Sequence, residues 1–309
     1  MKIKTKKTLL KYFRPIDKQS IIPISFDDET EIENSLGNLS YHTASGDNAK
    51  FLDRLSSEDF QVLMDKVGLT EHLQKMGFTD IIIAIRKDEV LIHHFQVYNR
   101  NTDPDNMLIN LRVSESRFVP ERHFFEDEES QIVLDMVIIE WLSAQNPFNN
   151  YDNHKPQLPG QNRPGLGSLK YMMEIMYLVG ANLHIDGFMD VPNHLHGAVM
   201  YSRKFKFFNP AHEAILQAML RDLKDYSMAD LSWGMLTRTI VETTSGEPQN
   251  YDPSEQIFPV SQYMKNYFNS KKYQKKFEYI YKKKSYHFDY EKMLILREKI
   301  LQKNKLEDL

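Results

Sequence analysis

The sequence predicts an α/β protein: a mixed, mostly antiparallel sheet with flanking helices, followed by a helical C-terminal extension. Three observations predict it. Two strand-like runs, 80–86 and 90–98, flank the short polar turn Lys87-Asp88-Glu89, and a long alternating run follows at 107–119. The segment 132–142 is the most apolar run of the chain, as suits a strand covered on both faces near the middle of a sheet. After it come a glycine loop, a helix, a short strand, a helix and a further strand. A strand that feeds a helix and then a neighbouring strand is a right-handed crossover unit. An antiparallel meander is therefore expected first and a parallel pair later.

Residues 1–48 read as an N-terminal arm, set off by the polar stretch 27–38. Ser56 or Ser57 can cap a helix running to about residue 76, with Glu58 and Asp59 in its first turn. Phe60, Leu63, Met64 and Val67 give that helix an apolar face, and Gly77 ends it. The acidic tract 126–129 reads as a solvated loop, and 145–164 as a loop rich in Pro, Asn and Gly. A helix over 165–180 carries Leu169, Met172, Met173, Met176 and Val179 at core spacing. A short strand at 187–191 leads to a helix opened by Pro192-Asn193 that runs to about residue 204, and a strand at 205–208 follows. Asn209-Pro210 caps an amphipathic helix with the stripe Ile215, Leu216, Met219, Leu220 and Leu223. Residues 231–242 read as one more strand, and the chain from 254 onward as mostly helical and basic. The expected division is an arm at 1–48, an α/β domain at 49–245 and a basic helical extension at 246–309.

Composition narrows the chemistry. The hydrophobic fraction of 41% suits a packed globular protein. With a net charge of -4, no global positive field draws the chain to nucleic acid or anionic lipid, so neither is expected as a partner. The absence of cysteine excludes disulfides, thiolate metal sites and a cysteine nucleophile. The basic start offers only Leu9-Leu10 before Lys11, unlike a signal peptide, and no run approaches the ~18 apolar residues of a membrane span. The expected location is the cytoplasm.

The segment Gln161-Asn162-Arg163-Pro164-Gly165-Leu166-Gly167-Ser168 opens a helix after the buried strand and its loop. Glycines let a ligand approach the backbone, and a helix start offers unpaired N–H groups and a positive dipole end. These features make a phosphate site, to which Arg163 adds a cation and Ser168 a hydroxyl. A plain Pro-Gly turn that starts a helix is the alternative. The spacing matches neither the dinucleotide fingerprint nor the P-loop.

Gly165-Leu166-Gly167-Ser168 after a hydrophobic strand resembles the acyl-CoA pyrophosphate loop of the GNAT N-acetyltransferase superfamily. Residues 193–207 (NHLHGAVMYSRKFKF) are similar to that family's later motif, in which an Asn and an Ala precede a Tyr. The resemblance covers about 80–208. The chain departs from the pattern in that Asn162 stands where the family has Arg or Gln, with Arg163 shifted by one, and Phe205 stands where Gly is expected.

The resemblance implies an acyltransferase that moves an acyl group, foremost acetyl, from acyl-CoA to an amine by direct attack. Leu142, Ser143, Asn162, Arg163, Gly165, Leu166, Gly167 and Ser168 would then hold the cofactor, with a strand N–H near Trp141 to Ser143 stabilising the oxyanion. Tyr201 would protonate the departing thiolate. Its other role is that of a core aromatic with a bonded hydroxyl. Glu140, late in an apolar strand, would have a raised pKa and act as base. It could equally be a strand-end carboxylate paired with an Arg. The acceptor, small molecule or protein, carries no readable code. A non-catalytic GNAT-like module that binds a ligand or a protein is the other reading.

Further histidines, His93, His94, His184, His194 and His196, do not make a metal site. His194 and His196 fall at a helix start, where i and i+2 side chains diverge, and no HExxH occurs. Both are instead candidate substrate contacts. No Gly-x-Ser-x-Gly elbow supports a serine hydrolase, and nothing marks Asp186 and Asp190 as paired catalytic carboxylates. The lysines of 271–286 are interleaved with Tyr273, Phe277, Tyr279, Tyr281 and Tyr286, and read as the solvated face of an amphipathic helix.

Overall fold

A computed structural model describes residues 13–14, 42–43, 49–88, 91–125, 131–149, 157–161 and 163–302. The N-terminal arm apart from two short strands, the acidic tract at 126–129 and all of 150–156 lie outside the described residues, as does Asn162. The chain divides into two units, Met1–Pro147 with Gly165–Phe188, and Phe148–Pro164 with Met189–Leu309.

The first unit is α/β with a mostly antiparallel mixed sheet. Its elements are β1 (Phe13–Arg14), β2 (His42–Thr43), α1 (Ser57–Val67), α2 (Leu69–Lys75), β3 (Ile81–Lys87), β4 (His93–Asn99), β5 (Met107–Phe118), β6 (Leu134–Ala144), α3 (Leu169–Asn182) and β7 (Gly187–Asp190), whose last two residues fall in the second unit. The strands run in the order β2-β3-β4-β5-β6-β7, with β1 on β5. The meander β3-β4-β5-β6 is antiparallel throughout, as the turn and alternation predict. One parallel pair stands at its start, between β2 and β3. Asp186 N donates to Asp135 O at 2.7 Å, and Asp135 N donates to Asp186 Oδ2 at 2.9 Å. These bonds set the starts of β6 and β7 side by side, as a strand–helix–strand crossover requires.

The single helix expected to about residue 76 is two. Ser56 closes a capping box with Asp59, and Gly68 then takes a left-handed φ of 80°, ending α1 and starting α2. Phe60 of α1 stacks on Phe95 of β4 with ring centroids 4.1 Å apart, and Phe51 meets Phe60 edge-on. The α1 face of the sheet is thereby sealed with aromatic area. The strand expected to be buried on both faces is covered only in part. Leu134, Met136, Val137 and Ile139 of β6 are buried, but Trp141 is 53% exposed. Helix α3 begins four residues later than expected, because Gly165 pairs with Gln145 and Leu166 N donates to Ala144 O. That backbone is held as an extension of β6 and cannot be helical.

The second unit contains α4 (Leu195–Tyr201), β8 (Lys206–Phe207), α5 (Pro210–Asp222), α6 (Met228–Leu236), β9 (Ile240–Glu242), β10 (Gln256–Pro259), α7 (Gln262–Asn269), α8 (Lys271–Lys283), β11 (Tyr286–Phe288) and α9 (Tyr290–Leu301). Asn209 caps α5 through Ala211 N, as read from the sequence. The strand expected at 231–242 is instead α6, opened by a Ser227/Asp230 capping box, and then the short β9. Residues 231–235 are all buried and mostly apolar, which hides the helical period. The C-terminal extension is likewise not purely helical: β10 pairs with β8, and β11 with β9.

Helix α8 lies on α5. Tyr273 is buried and its hydroxyl donates to Phe207 O at 2.7 Å, whereas six of its seven Lys271–Tyr286 lysines are exposed. Arg221 closes the end of α8 by donating to Tyr281 O and Lys284 O at 2.9 and 2.6 Å. A cation placed there also complements the negative end of the helix dipole. No helix among the described residues is long and apolar enough to cross a membrane.

Candidate functional site

In the first unit the end of β6, the glycine loop and the start of α3 are joined by hydrogen bonds. Leu166 is buried, and its carbonyl lies 2.8 Å from His72 Nε2, so that nitrogen carries the proton. The His72 ring rests against Tyr171 of α3. With Leu166 tied on both its N–H and its carbonyl, the loop is a fixed ledge. Gly167, next along, is exposed at φ 67°, and nothing lies within 4 Å of where a Cβ would sit.

Ser168 stands at the N-cap of the 14-residue α3 without making a capping bond. The residue is 1% exposed and its Oγ has no hydrogen-bond partner among the described residues. A buried hydroxyl left unpaired is costly, so such a group calls for an acceptor or donor not supplied by the protein. The first turn of α3 contains no acidic residue and includes the exposed Lys170. Unpaired helix-start N–H groups, a hydroxyl and a cation with no opposing carboxylate form a setting for phosphate oxygens. The residues therefore suit a phosphate group. Exposed Arg163 precedes the loop in the chain but belongs to the second unit.

Glu140, Leu142 and Ser143 all lie on β6. The β5–β6 register steps from Val113↔Ile139 to Arg112↔Trp141, leaving Glu140 as the unmatched residue of a β-bulge. Bulges re-aim side chains and recur beside active sites. Glu140 is not in the apolar environment expected for it. It is half-exposed, and its Oε1 accepts from Ser114 Oγ at 2.9 Å. Leu142 and Ser143 sit opposite Leu111 and Asn110.

The bulge also assembles residues that the sequence reading passed over. Across four strands, Arg86, His94, Arg112 and Trp141 are consecutive register partners, so their side chains share one face of the sheet. Ser114, two residues from Arg112, shares that face and brings Glu140 to it through their hydrogen bond. Further along the same face Gln96 and Asn110 are buried, and Tyr98 OH donates to Gln96 Oε1 at 3.1 Å. The only sequence signal for this set was an Arg and a Trp in otherwise apolar strands. Their pairing depends on a register that the bulge shifts.

The remaining candidates belong to the second unit. Tyr201 ends α4, is buried, and packs on Phe205 with ring centroids 5.1 Å apart. Burial, aided by the Asp190 carboxylate, pushes its hydroxyl well above the ordinary tyrosine range. Tyr201 therefore stays protonated at neutral pH and keeps a proton to donate. The rings of His194 and His196 stack at 5.2 Å and 8°. His194 Nε2 lies 3.2 Å from the point a Cβ on Gly160 would occupy. Burial lowers both imidazoles, His196 to about 4 with a further push from His194, so both are neutral at pH 7. His196 Nδ1 is buried without a partner among the described residues. No group of three or more His, Asp or Glu capable of holding a metal ion occurs among the described residues.

Comparison with known protein families, with curated proteins and with solved structures finds no match.

Proposed function

We propose that this chain is an acyl-CoA-dependent N-acyltransferase with a fold of the GNAT kind, using acetyl-CoA or a longer acyl-CoA. The observation that carries the reading is the buried, unpaired Ser168 hydroxyl at the open start of α3, beside the exposed left-handed Gly167. The bulge at Glu140 supports it, because it lies on the strand that leads into that loop.

Gly167, Ser168 and the first turn of α3 would hold the phosphates. When bound, an acyl-CoA supplies an activated thioester carbonyl. Glu140, held by Ser114, would be the group on this strand that takes a proton from the acceptor nitrogen. The resemblance gives the role of proton donor to the leaving sulfur to Tyr201, which belongs to the second unit and which burial keeps protonated. Solvent would take up the proton held by Glu140 and restore that of the donor, so that the protons balance.

Thermal unfolding with acetyl-CoA, longer acyl-CoAs and free CoA tests the site. A ligand at a hundredfold excess over its Kd adds ~2.7 kcal/mol of stability. Gly167→Asn, which tolerates left-handed φ, should retain that gain. Gly167→Glu, which puts a carboxylate where the phosphates would lie, should lose it. If no CoA species stabilises the wild-type chain, the proposal is wrong.

A further inference from the structure

The polar face of the first unit's sheet points to the acceptor. Arg112 is exposed and makes no ion pair or hydrogen bond among the described residues, whereas Arg117 of the same strand pairs with Asp135 at 3.3 Å and Arg54 pairs with Glu115 at 2.9 Å. Directly opposite Arg112 stands the exposed ring of Trp141. Adjacent to Trp141, the bulge turns Glu140 to the same face, with Ser114 fixing one of its oxygens. A free cation, an apolar planar surface and a carboxylate thus meet within two neighbouring strands, which lie ~4.8 Å apart.

We infer that this face binds a zwitterionic α-amino acid with an apolar planar side chain. Arg112 takes the carboxylate through its forked N–H groups, a geometry that lysine does not offer. Glu140 faces the ammonium, and Trp141 covers the side chain. Both charges of the ligand are matched by opposite charges of the protein, and its apolar part by the one large ring exposed on β6. As an acceptor site this assignment rests on the acyl-transfer reading, in which the ammonium would first lose one proton to solvent and Glu140 would take the second from that same amine. As a binding site it stands without it.

The chain contains two tryptophans, Trp141 and Trp233, and Trp233 is buried at 1% exposure in the second unit. Fluorescence of the full chain therefore reports Trp141 against a constant background, and no CoA is needed. The probes are L-phenylalanine, phenethylamine, which lacks the carboxylate, and 3-phenylpropionate, which lacks the amine. Phenylalanine should bind at least about tenfold more tightly than either, since a site built for two charges rejects a ligand that leaves one unpaired. Arg112→Gln should bring phenylalanine down to the level of phenethylamine, with Arg112→Lys between. Trp141→Phe should abolish the fluorescence change while calorimetry still detects the binding heat. Equal binding of the three probes, an undiminished preference in Arg112→Gln, or neither fluorescence change nor heat at millimolar phenylalanine would overturn the assignment. Because acyl-CoA is absent throughout, these outcomes are separate from success or failure of the CoA titration.

Discussion

Replacing Ser168 with alanine should make the free protein more stable and its complex with acyl-CoA less so. A serine at an N-cap ordinarily accepts a backbone N–H, and its loss costs about 1 kcal/mol. Ser168 makes no such bond, so that cost does not arise. Its Oγ is instead buried without a partner among the described residues. An unsatisfied buried polar group costs ~1–3 kcal/mol, and removing the hydroxyl recovers part of this while leaving only a small void. A gain of about 1 kcal/mol should raise Tm by roughly 2–4 °C in a unit of this size. In the complex the same hydroxyl would donate to a phosphate oxygen, a charge-assisted bond worth ~1.5–3 kcal/mol. The variant's Kd for acetyl-CoA should therefore rise roughly ten- to a hundredfold. Thermal unfolding with and without acetyl-CoA should show the two proteins changing order. A free variant less stable than wild type, or an unchanged Kd, would refute the argument that Ser168 is held in wait for an anion.

Three further outcomes are expected. Tyr201→Phe should lower kcat at least about a hundredfold with little change in KM, since only proton donation to the leaving group is lost; acyl-transfer kinetics over pH would check this. In the second unit, a Cβ on Gly234 of α6 would lie 2.6 Å from Phe288 Cε2 and 3.0 Å from Ile240 Cγ1. Gly234→Ala should thus destabilise by ~1–3 kcal/mol despite alanine's better helix propensity, and Phe288→Leu in the same chain should restore part of it in urea titrations followed by Trp233 fluorescence. The folded-state pKa of His196 is lowered from 6.5 to about 4, so the unfolded chain takes up this proton first and stability falls as pH drops through that window. The loss should reach up to about 3 kcal/mol and be smaller in His196→Asn, measured by urea unfolding at pH 7 and pH 4.5.

The antiparallel meander was legible because its strands alternate about short polar turns, and the α5 start because Asn209-Pro210 caps a helix through local bonds alone. The glycine loop and the order of strand, loop, helix and strand around it were legible for the same reason: they are written in neighbouring residues. Helix α6 was mistaken for a strand because burial on all sides erases the period that separates the two. The break at Gly68 was missed because the apolar spacing continues across it, and only the backbone shows the left-handed turn.

Local sequence, then, determined the meander β3-β4-β5-β6 and the capped start of α5. Tertiary structure alone decided that Ser168 is buried without a partner and that Glu140 is unmatched. It also set an unpaired Arg112 opposite an exposed Trp141. Each of these depends on register and packing between segments far apart in the chain, and a shift of one residue would turn those side chains to the other face of the sheet.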